Sequence, residues 1–566
     1  MLAFAWYNVG MYMRRTKRTN KDGSTVAYLQ LAHNERHPVT GNPVAKVIWN
    51  FGREDSVDKD ALRRLMQSIA RVLDPEDQIA VEMGIELGSI SIESDKSLGG
   101  AWALDQLWTK LGIRSAFEEL LRERQFEAPV ERAVFAMTAN RALAPWSKPA
   151  MEDWVENDVC IDGLGQVQVH QLYRAMDLLV ENHEHVQERV FFSMANLLNL
   201  EVDLVYFDTT STYFEVDPDP DEEEELRRTG YSKDHRPDLL QVVIGLAVTR
   251  DGIPVRCWVW PGNTGDMEVV AQVKKDLTGW KLGRVITVVD RGFSSDANLR
   301  HLQRAGGHYI AGERMRADIK TVEEALARPG RYKPVKENLE IKEIVVGDGE
   351  ARVRYVLARN PLEAQRDRQR RERTLAELRE ELKRLKSVTG EEHTKAVCKV
   401  VTSKRFGKYL MLDARNFPRI DQSKVKKEAR LDGKYLLRTS DDTLSPEDVA
   451  LGYKQLLEVE DAFRTLKSTL DLRPMYHRVS DRIRAHVLLC WLALLLVRVA
   501  ENQVGDTWPR IRTQLERIRI VEINTPEGNV VQRTDITPAQ KHILSRLKVP
   551  EPKKIREIIL KSKVRA

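Results

Sequence analysis

Three acidic residues stand where side chains could do chemistry. Asp208 and Asp290 each follow a short apolar segment that reads as a buried strand, residues 202–207 and 285–289. In α/β sheets such strand ends meet the crevice where ligands bind. Two carboxylates presented from neighbouring strands can hold divalent cations, because Mg²⁺ prefers oxygen ligands and keeps several of its waters. The structural alternative for either Asp is a helix N-cap or a turn.

The third acid, Glu460, belongs to a segment with helical periodicity. Tyr453, Glu460 and Lys467 are spaced by seven residues, about two helical turns, so one continuous helix would place all three on one face. Arg464, four residues after Glu460, would share that face. A carboxylate flanked by cations and an aromatic ring suits a scissile phosphodiester. The alternative is a solvated helix with salt bridges between neighbouring turns.

The elements that must position these residues predict an α/β multi-domain protein. Three strands within residues 202–260, a helix at 267–277, a strand at 285–289, a helix at 294–305 and a strand at 308–311 indicate a mixed sheet covered by helices. Ser445 and Pro446 then begin a helix that we expect to run to about Leu470, with Ser445 as N-cap and Pro446 in its first turn.

The composition changes along the chain predict six regions. They are a small mixed N-terminal domain (1–95), a helical DNA-binding or dimerisation region (96–200), the first part of a core built on the mixed sheet (201–311), an insertion domain of mainly β structure with a charged helix at 361–386 (312–440), the second part of the core (441–503) and a basic C-terminal tail (504–566). The insertion is expected to be separate from the core sheet.

Charge and hydropathy exclude several classes of protein. The chain has 566 residues, a net charge of +5 and four cysteines far apart in sequence, which argues against a disulfide scaffold or a structural zinc site. Residues 215–225 hold eight acids and no base; without them 77 acids would face 90 bases, a net charge of +13. The most apolar stretch, Val487 to Val497, is about half of the ~20 residues that span a bilayer, so we expect a buried helix and no membrane.

The sequence around the three acids resembles bacterial insertion-sequence transposases of the DDE class. Their signature around the catalytic Glu is Tyr-x2-Arg-x3-Glu-x6-Lys, and Tyr453, Glu460 and Lys467 match its spacing, whereas Leu456 occupies the Arg position. The two Asp residues lie in segments similar to those of the family, 206–212 and 288–293. Further similar segments are residues 230–239, 261–266 and 482–496.

This resemblance implies an RNase H-like mixed sheet core interrupted by an insertion between the second Asp and the Glu. It implies that Asp208, Asp290 and Glu460 are catalytic and hold two Mg²⁺ ions, for which Mn²⁺ can substitute. The reaction would be hydrolysis of phosphodiesters at the element ends, followed by attack of the freed 3′-OH on target DNA. Contacts to DNA are expected from Tyr453, Lys467, Lys233, His235 and Arg236, with Arg464 as a replacement for the missing Arg.

The resemblance also implies the protein's partners and location. DNA, both terminal inverted repeats and target, would be bound by a homodimer in a synaptic complex, in the bacterial cytoplasm and associated with the nucleoid. In relatives that cut through a DNA hairpin, a Trp of the insertion stacks on a flipped base. This chain has no Trp between Trp280 and Trp491, so the excision route stays open.

Two functions other than DNA transposition are alternatives for this sequence. Asp208 begins an Asp-x-Thr-x-Thr pattern similar to the phospho-aspartate loop of haloacid-dehalogenase-type phosphotransferases, in which Asp208 would be a covalent nucleophile and Asp290 a metal ligand. A second alternative is an inactive DNA-binding descendant of a transposase. A tyrosine recombinase is excluded, because it needs a nucleophilic Tyr on a late helix and the last Tyr of the chain is Tyr476.

Overall fold

A computed structural model describes most of the chain. It leaves undescribed residues 1–10, 21–24, 38–42, 71–90, 123–129, 199–203, 216–224, 266, 281–284, 317–318, 350–351, 388–389, 415, 526–527 and 561–566. Most of the acidic run at 215–225 and the end of the basic C-terminal segment therefore lie outside the described residues. The chain divides into two compact units, one made of residues 1–93, 523–530 and 558–566, the other of residues 94–522 and 531–557.

The N-terminal part of the first unit is a small sheet followed by a helix. Three antiparallel strands in the order β1-β2-β3 precede helix α1; their bounds are β1 Met11–Thr19, β2 Thr25–Arg36, β3 Pro43–Arg53 and α1 Lys59–Ala70. A fourth strand, β4, spans Ser91–Ser97.

The second unit begins with a packed group of helices. They are α2 Gly99–Lys110, α3 Ile113–Leu121, α4 Val130–Leu143, α5 Ala150–Asp153, α6 Val169–Glu181 and α7 His183–Leu198. Every residue of α4 is buried. Arginines on these helices are not all solvated: Arg132 is buried between Glu131 and Asp105, with which it forms ion pairs at 2.6 and 2.8 Å. Arg141 is buried as well.

A nine-stranded mixed sheet forms the centre of the second unit. Its spatial order is β10-β11-β12-β15-β9-β8-β5-β6-β7. The strand bounds are β5 Leu204–Tyr213, β6 Gln241–Val248, β7 Pro254–Pro261, β8 Ile286–Val289, β9 His308–Glu313, β10 Lys333–Lys336, β11 Leu339–Val346, β12 Val353–Arg359 and β15 Lys434–Thr439. β5, β6 and β7 are antiparallel neighbours, whereas β8 is parallel to β5 and β9 is parallel to β8. All eight residues of β6 are buried, as expected for a strand covered on both faces.

The region between residues 312 and 440 does not leave the core sheet, so the expectation of a separate insertion is wrong for its long strands. β15 pairs antiparallel with β9, and β12, β11 and β10 extend the sheet outward. An uncovered β9 would present unpaired backbone groups at the sheet edge, which a returning strand satisfies. The sequence pattern of a strand does not reveal which edge it joins.

Only the middle of that region forms a satellite. The charged helix is present as α11, Pro361–Leu385, and it packs with small elements around its own apolar cluster. Those elements are α12 Gly390–Thr402, α13 Gln422–Ala429, β13 Leu410–Leu412 and β14 Pro418–Ile420. The remaining helices beside the sheet are α8 Val270–Gly279, α9 Asp296–Gln303 and α10 Lys320–Ala327.

The helix expected from Pro446 to about Leu470 is two helices, α14 Pro446–Lys454 and α15 Leu457–Ser468. Ser445 caps the first as predicted, its hydroxyl accepting from the Asp448 amide at 3.0 Å. The chain turns at Gln455 and Leu456, where Gln455 Oε1 accepts a hydrogen bond of 2.9 Å from the Tyr206 hydroxyl and Leu456 is buried. No Gly or Pro marks this break, so periodicity alone predicts one helix.

The apolar helix α16, Ser480–Val504, is a core element. It is long and apolar enough to cross a membrane, but 89% of its most apolar window is buried inside the protein, which confirms the predicted buried helix. The segment predicted as a basic tail is folded for most of its length: it contains α17 Trp508–Leu515, β16 Arg519–Thr525, β17 Gly528–Arg533, α18 Pro538–Leu547 and β18 Ile555–Leu560. A sheet of order β18-β17-β16-β4 includes three of these strands.

Shortening a buried side chain of α16 should therefore destabilise the second unit strongly. Leu492 is fully buried, so we expect Leu492→Ala to lower the free energy of unfolding by about 2–5 kcal/mol through lost burial and a cavity. Leu362→Ala on α11, where the side chain is 43% exposed, is the matched control and should cost less than about 1 kcal/mol. Urea unfolding followed by circular dichroism measures both, and equal losses would contradict the core role of α16.

Candidate functional site

The parallel pairing of β5 and β8 brings two of the predicted acids together. Phe207 lies opposite Val289 in the register, so the next residues along the two strands are Asp208 and Asp290. Neighbouring strands lie about 4.8 Å apart, which places the two backbones side by side. Asp290 follows the end of β8 as predicted, whereas β5 continues past Asp208 to Tyr213 because it remains paired with β6.

Asp208 is held by its own strand and by a lysine from a loop. Its Oδ1 accepts the Thr209 amide at 2.7 Å and lies 3.8 Å from Lys233 Nζ. Lys233 in turn donates to the backbone oxygen and the hydroxyl of Thr209, each at 2.7 Å, while its amide donates to Ser211 Oγ at 2.8 Å. The loop at 230–239 is thereby attached to β5, and its lysine partly neutralises the first carboxylate.

Asp290 is oriented by the tyrosine of the signature. The Tyr453 hydroxyl donates to Asp290 Oδ1 at 2.8 Å, and Arg291 Nε lies 3.8 Å from the same oxygen. Burial, and to a lesser degree the Asp290 charge, raises the pKa of Tyr453, so the phenol stays protonated and remains a donor. Gly312 makes the approach possible, since a Cβ there would lie 2.2 Å from the Tyr453 hydroxyl.

Glu460 does not join the two Asp side chains in this structure. It is exposed on α15, whose buried face carries Val459, Phe463 and Leu466. Within the described part of the chain, no three His, Cys, Asp or Glu side chains form a group that could hold a metal ion. Three carboxylates repel one another in the absence of a cation, which disfavours a closed cluster of acids alone.

Lys467 points to an acid that the sequence analysis did not single out. Its Nζ lies 2.7 Å from Asp234 Oδ1, and Arg473 Nη1 lies 2.5 Å from the same oxygen. The Asp234 side chain is only 7% exposed. It neighbours Lys233 within residues 230–239, a segment similar to the family, and that similarity could have pointed to Asp234. Asp234 thus connects α15, the Lys233 loop and the chain after α15.

The remaining predicted DNA contacts have partners or backbone positions of their own, apart from the two Asp side chains. Arg464 pairs with Asp461 at 2.7 Å and its side chain is 71% exposed. Arg236 pairs with Asp238 at 2.9 Å and lies over the Tyr213 ring. His235 adopts a positive φ of 59°, which marks a tight turn in the same loop.

A cationic cleft opens beside Asp290. It has a volume of about 540 Å³, and Tyr435, stacked on Tyr453 with ring centroids 6.0 Å apart, lines it together with Arg291, Arg314, Arg316 and Lys434. Such a cleft attracts a polyanionic backbone. Sequence reasoning missed these residues because they come from separate elements that only the sheet brings together.

The buried carboxylate of Asp234 should matter for stability. We expect Asp234→Asn to lower the free energy of unfolding by about 2–4 kcal/mol, because Lys467 and Arg473 would then face each other without a compensating charge. Asp238→Asn is the control from the same loop, since that side chain is 60% exposed and its ion pair should contribute less than about 1 kcal/mol. Chemical denaturation measures the free energy of unfolding of both variants. Similar decreases in the two would contradict the bridging role of Asp234.

Comparison with known proteins identifies two family models along the chain. Residues 13–78 match the N-terminal domain of IS1634 family transposases, and residues 209–496 match the transposase DDE domain. Among solved structures, the chain is similar to a piggyBac transposase in a synaptic complex with hairpin DNA, at 9% identity and a TM-score of 0.35, over 80% of this chain and 83% of that chain. No curated protein gives a significant match. Because the DDE domain match covers just over half of its length, the chain belongs to the DDE transposases of insertion sequences.

Proposed function

We propose that Asp208, Asp290 and Glu460 are the catalytic acids with which this transposase cuts and joins DNA. The observation that carries the proposal is the pairing of β5 with β8, which puts Asp208 and Asp290 side by side next to a cationic cleft. Glu460 supplies the third carboxylate from α15, at the spacing from Tyr453 and Lys467 that the family signature has. The reaction is hydrolysis at the element ends followed by 3′-OH attack on target DNA.

An RNase H-like core is the fold we propose for the catalytic part. Three antiparallel strands, β7-β6-β5, continue into two strands parallel to β5, in the order β8-β9, and this arrangement supports the proposal. The added strands β15, β12, β11 and β10 belong to the region between Asp290 and Glu460. In this proposal the added strands extend the core sheet from its β9 edge, and Asp208 and Asp290 lie near the centre of the sheet.

DDE transposases use divalent metal ions, and the donor set here fits them in part. Carboxylate oxygens are the ligands that Mg²⁺ and Mn²⁺ prefer, and Asp208 and Asp290 are partly exposed, their side chains 24% and 43% accessible. We propose two Mg²⁺ ions, held by these two residues and Glu460. When bound, the ions would polarise the scissile phosphate and help to generate the nucleophile.

The chain's own residues have distinct positioning roles in this proposal. Tyr453 fixes the direction of the Asp290 carboxylate, and Lys233 lies 3.8 Å from Asp208 Oδ1, close to where a phosphate would approach. Lys467 fixes the position of α15 through Asp234, and Arg464 would exchange its exposed ion pair with Asp461 for a DNA phosphate. His235 and Arg236 are DNA contacts of the same loop.

The partners follow from the same proposal. A transposase must join two element ends, so we propose a homodimer that binds terminal inverted repeats and target DNA in the bacterial cytoplasm, at the nucleoid. Membership in the DDE transposases argues against Asp208 as a covalent phosphotransferase nucleophile. An inactive DNA-binding descendant is disfavoured because all three acids are present. A cleavage assay distinguishes such a protein from an active transposase.

The catalytic assignment is tested by metal-dependent nicking of an oligonucleotide that carries the inverted repeat next to the gene. We expect Asp208→Asn, Asp290→Asn and Glu460→Gln each to lower the rate at least about 10³-fold with Mg²⁺ or Mn²⁺. Glu458→Gln, two residues before Glu460 on the same helix, is the control and should keep activity. A wild-type chain that binds the DNA and never cuts it would contradict the assignment of the protein as an enzyme.

The role of Tyr453 is tested by the metal dependence of the same reaction. Tyr453→Phe removes the hydrogen bond to Asp290 and keeps the ring, so the Mg²⁺ concentration at half-maximal rate should rise about 10-fold or more. Tyr435→Phe is the matched control, because Tyr435 stacks on Tyr453 and its hydroxyl has no hydrogen bond to Asp290 in the described structure. Equal Mg²⁺ requirements for the wild type and Tyr453→Phe would contradict the positioning role.

A further inference from the structure

A second polar cavity lies in the same unit, away from the acids. It has a volume of about 450 Å³ and is enclosed by the loop after α4 and the segment that joins α15 to α16. Trp146 and Tyr476 line it and are 39% and 67% exposed, so two aromatic rings flank a polar interior. The volume is in the range of small-molecule and nucleotide sites.

The interior of this cavity carries two buried cations, Lys148 and Arg141, with which no described carboxylate forms an ion pair. Lys148 and Arg141 are 4% and 5% exposed, and His486 is 7% exposed. No described residue gives the Lys148 ammonium a hydrogen bond or ion pair. Arg141 Nη2 donates to the neutral oxygens of Asn140 and Trp146, whereas Arg141 Nε and His486 Nδ1 are buried without a partner among the described residues. Burial lowers the pKa of His486, so this ring is neutral and the charge comes from Lys148 and Arg141. The acid among the described lining residues is Asp471, which is solvent-exposed.

Such burial is costly unless a ligand compensates it. Unpaired buried charges are rare because desolvation penalises them by several kcal/mol. Burial, together with the nearby Arg141 charge, lowers the pKa of Lys148 to about 7. The same causes lower the pKa of His477 to about 4, with Lys148 as the neighbouring cation. An anion that entered the cavity would remove this penalty and restore the full lysine charge.

We propose that this cavity binds one nucleotide of the DNA substrate, with its phosphodiester on Lys148 and Arg141 and its base or sugar against Trp146 and Tyr476. A phosphate supplies the missing negative charge, and aromatic side chains stack on an unpaired base whatever its sequence. The inference rests on the proposed function in one respect, namely that the substrate is DNA.

The position of the cavity suits a strand that also reaches the acids. Arg473 lines the cavity and shares Asp234 with Lys467 of α15. The Met475 amide donates to the Tyr213 oxygen at 3.2 Å, so the cavity wall is attached to the end of β5. Tyr213 follows Asp208 by five residues, about 17 Å of strand, which corresponds to the axial rise of about five base pairs of duplex DNA at 3.4 Å each.

A binding experiment without divalent metal tests the proposal separately from catalysis. The probe is a fluorescein-labelled DNA duplex with a single-stranded overhang, added to the full chain and followed by anisotropy over a range of salt concentrations. We expect Lys148→Met to weaken binding at least about 10-fold and to reduce the salt slope by about 0.7–0.9. Trp146→Ala should weaken binding as well, whereas Trp146→Phe should retain most of it.

Thermal unfolding distinguishes a ligand site from a structural lysine. Lys148→Met replaces an uncompensated buried cation by an apolar chain of similar length, so the variant should have a Tm equal to or above that of the wild type without DNA. Lys110→Met is the matched control, because Lys110 is half-buried and donates to the Leu547 oxygen at 3.2 Å. That variant should lose stability and keep DNA affinity.

Two outcomes would overturn the proposal. One is a Lys148→Met variant that binds the overhang duplex with wild-type affinity and salt dependence. The other combines two results: a free mononucleotide raises the Tm of the wild type and not that of Lys148→Met, and both proteins bind DNA with equal affinity. The cavity would then be a site for a free nucleotide. If Lys148→Met loses DNA binding and the wild type never cuts with Mg²⁺, the cavity assignment stands and the proposed function fails.

Discussion

The parallel pairing of β5 with β8 is the contact on which the rest of the candidate site depends. It aligns Phe207 with Val289 and therefore places Asp208 beside Asp290, although 81 residues separate them in sequence. β5 is the strand at which the antiparallel and parallel parts of the sheet meet, and its burial on both faces makes a change of register costly. A slip of one residue would turn Asp208 to the opposite face.

Charge compensation is the second constraint, and it is met differently at the two polar sites. Around the acids, each buried or half-buried charge has an opposite partner: Lys233 beside Asp208, Arg291 beside Asp290, and Asp234 between Lys467 and Arg473. These pairs hold separate elements together. In the cavity lined by Lys148 and Arg141, no described carboxylate forms an ion pair with either cation, and Arg141 donates to the neutral oxygens of Asn140 and Trp146. That contrast makes the cavity a candidate ligand site.

Local sequence patterns predicted the elements well where one physical cause dominates. The apolar run in α16 could only be a buried or a membrane helix, and its packing made it a core helix. Ser445 and Pro446 marked a helix start because both suit its first positions. Patterns failed where a long-range contact decides: the break at Gln455, the strands β10–β12 that extend the core sheet, and the folded segment after residue 504.

By itself the sequence determined the order and spacing of three acids, the signature around Glu460 and the family that they indicate, because residue type and spacing are carried by the chain. Only the tertiary structure decided which side chains meet. Asp234 between two cations, Gly312 beneath Tyr453 and the cavity at Lys148 all combine residues far apart in sequence. Their proximity depends on strand pairing and on which charges folding leaves without a partner, and neither follows from periodicity.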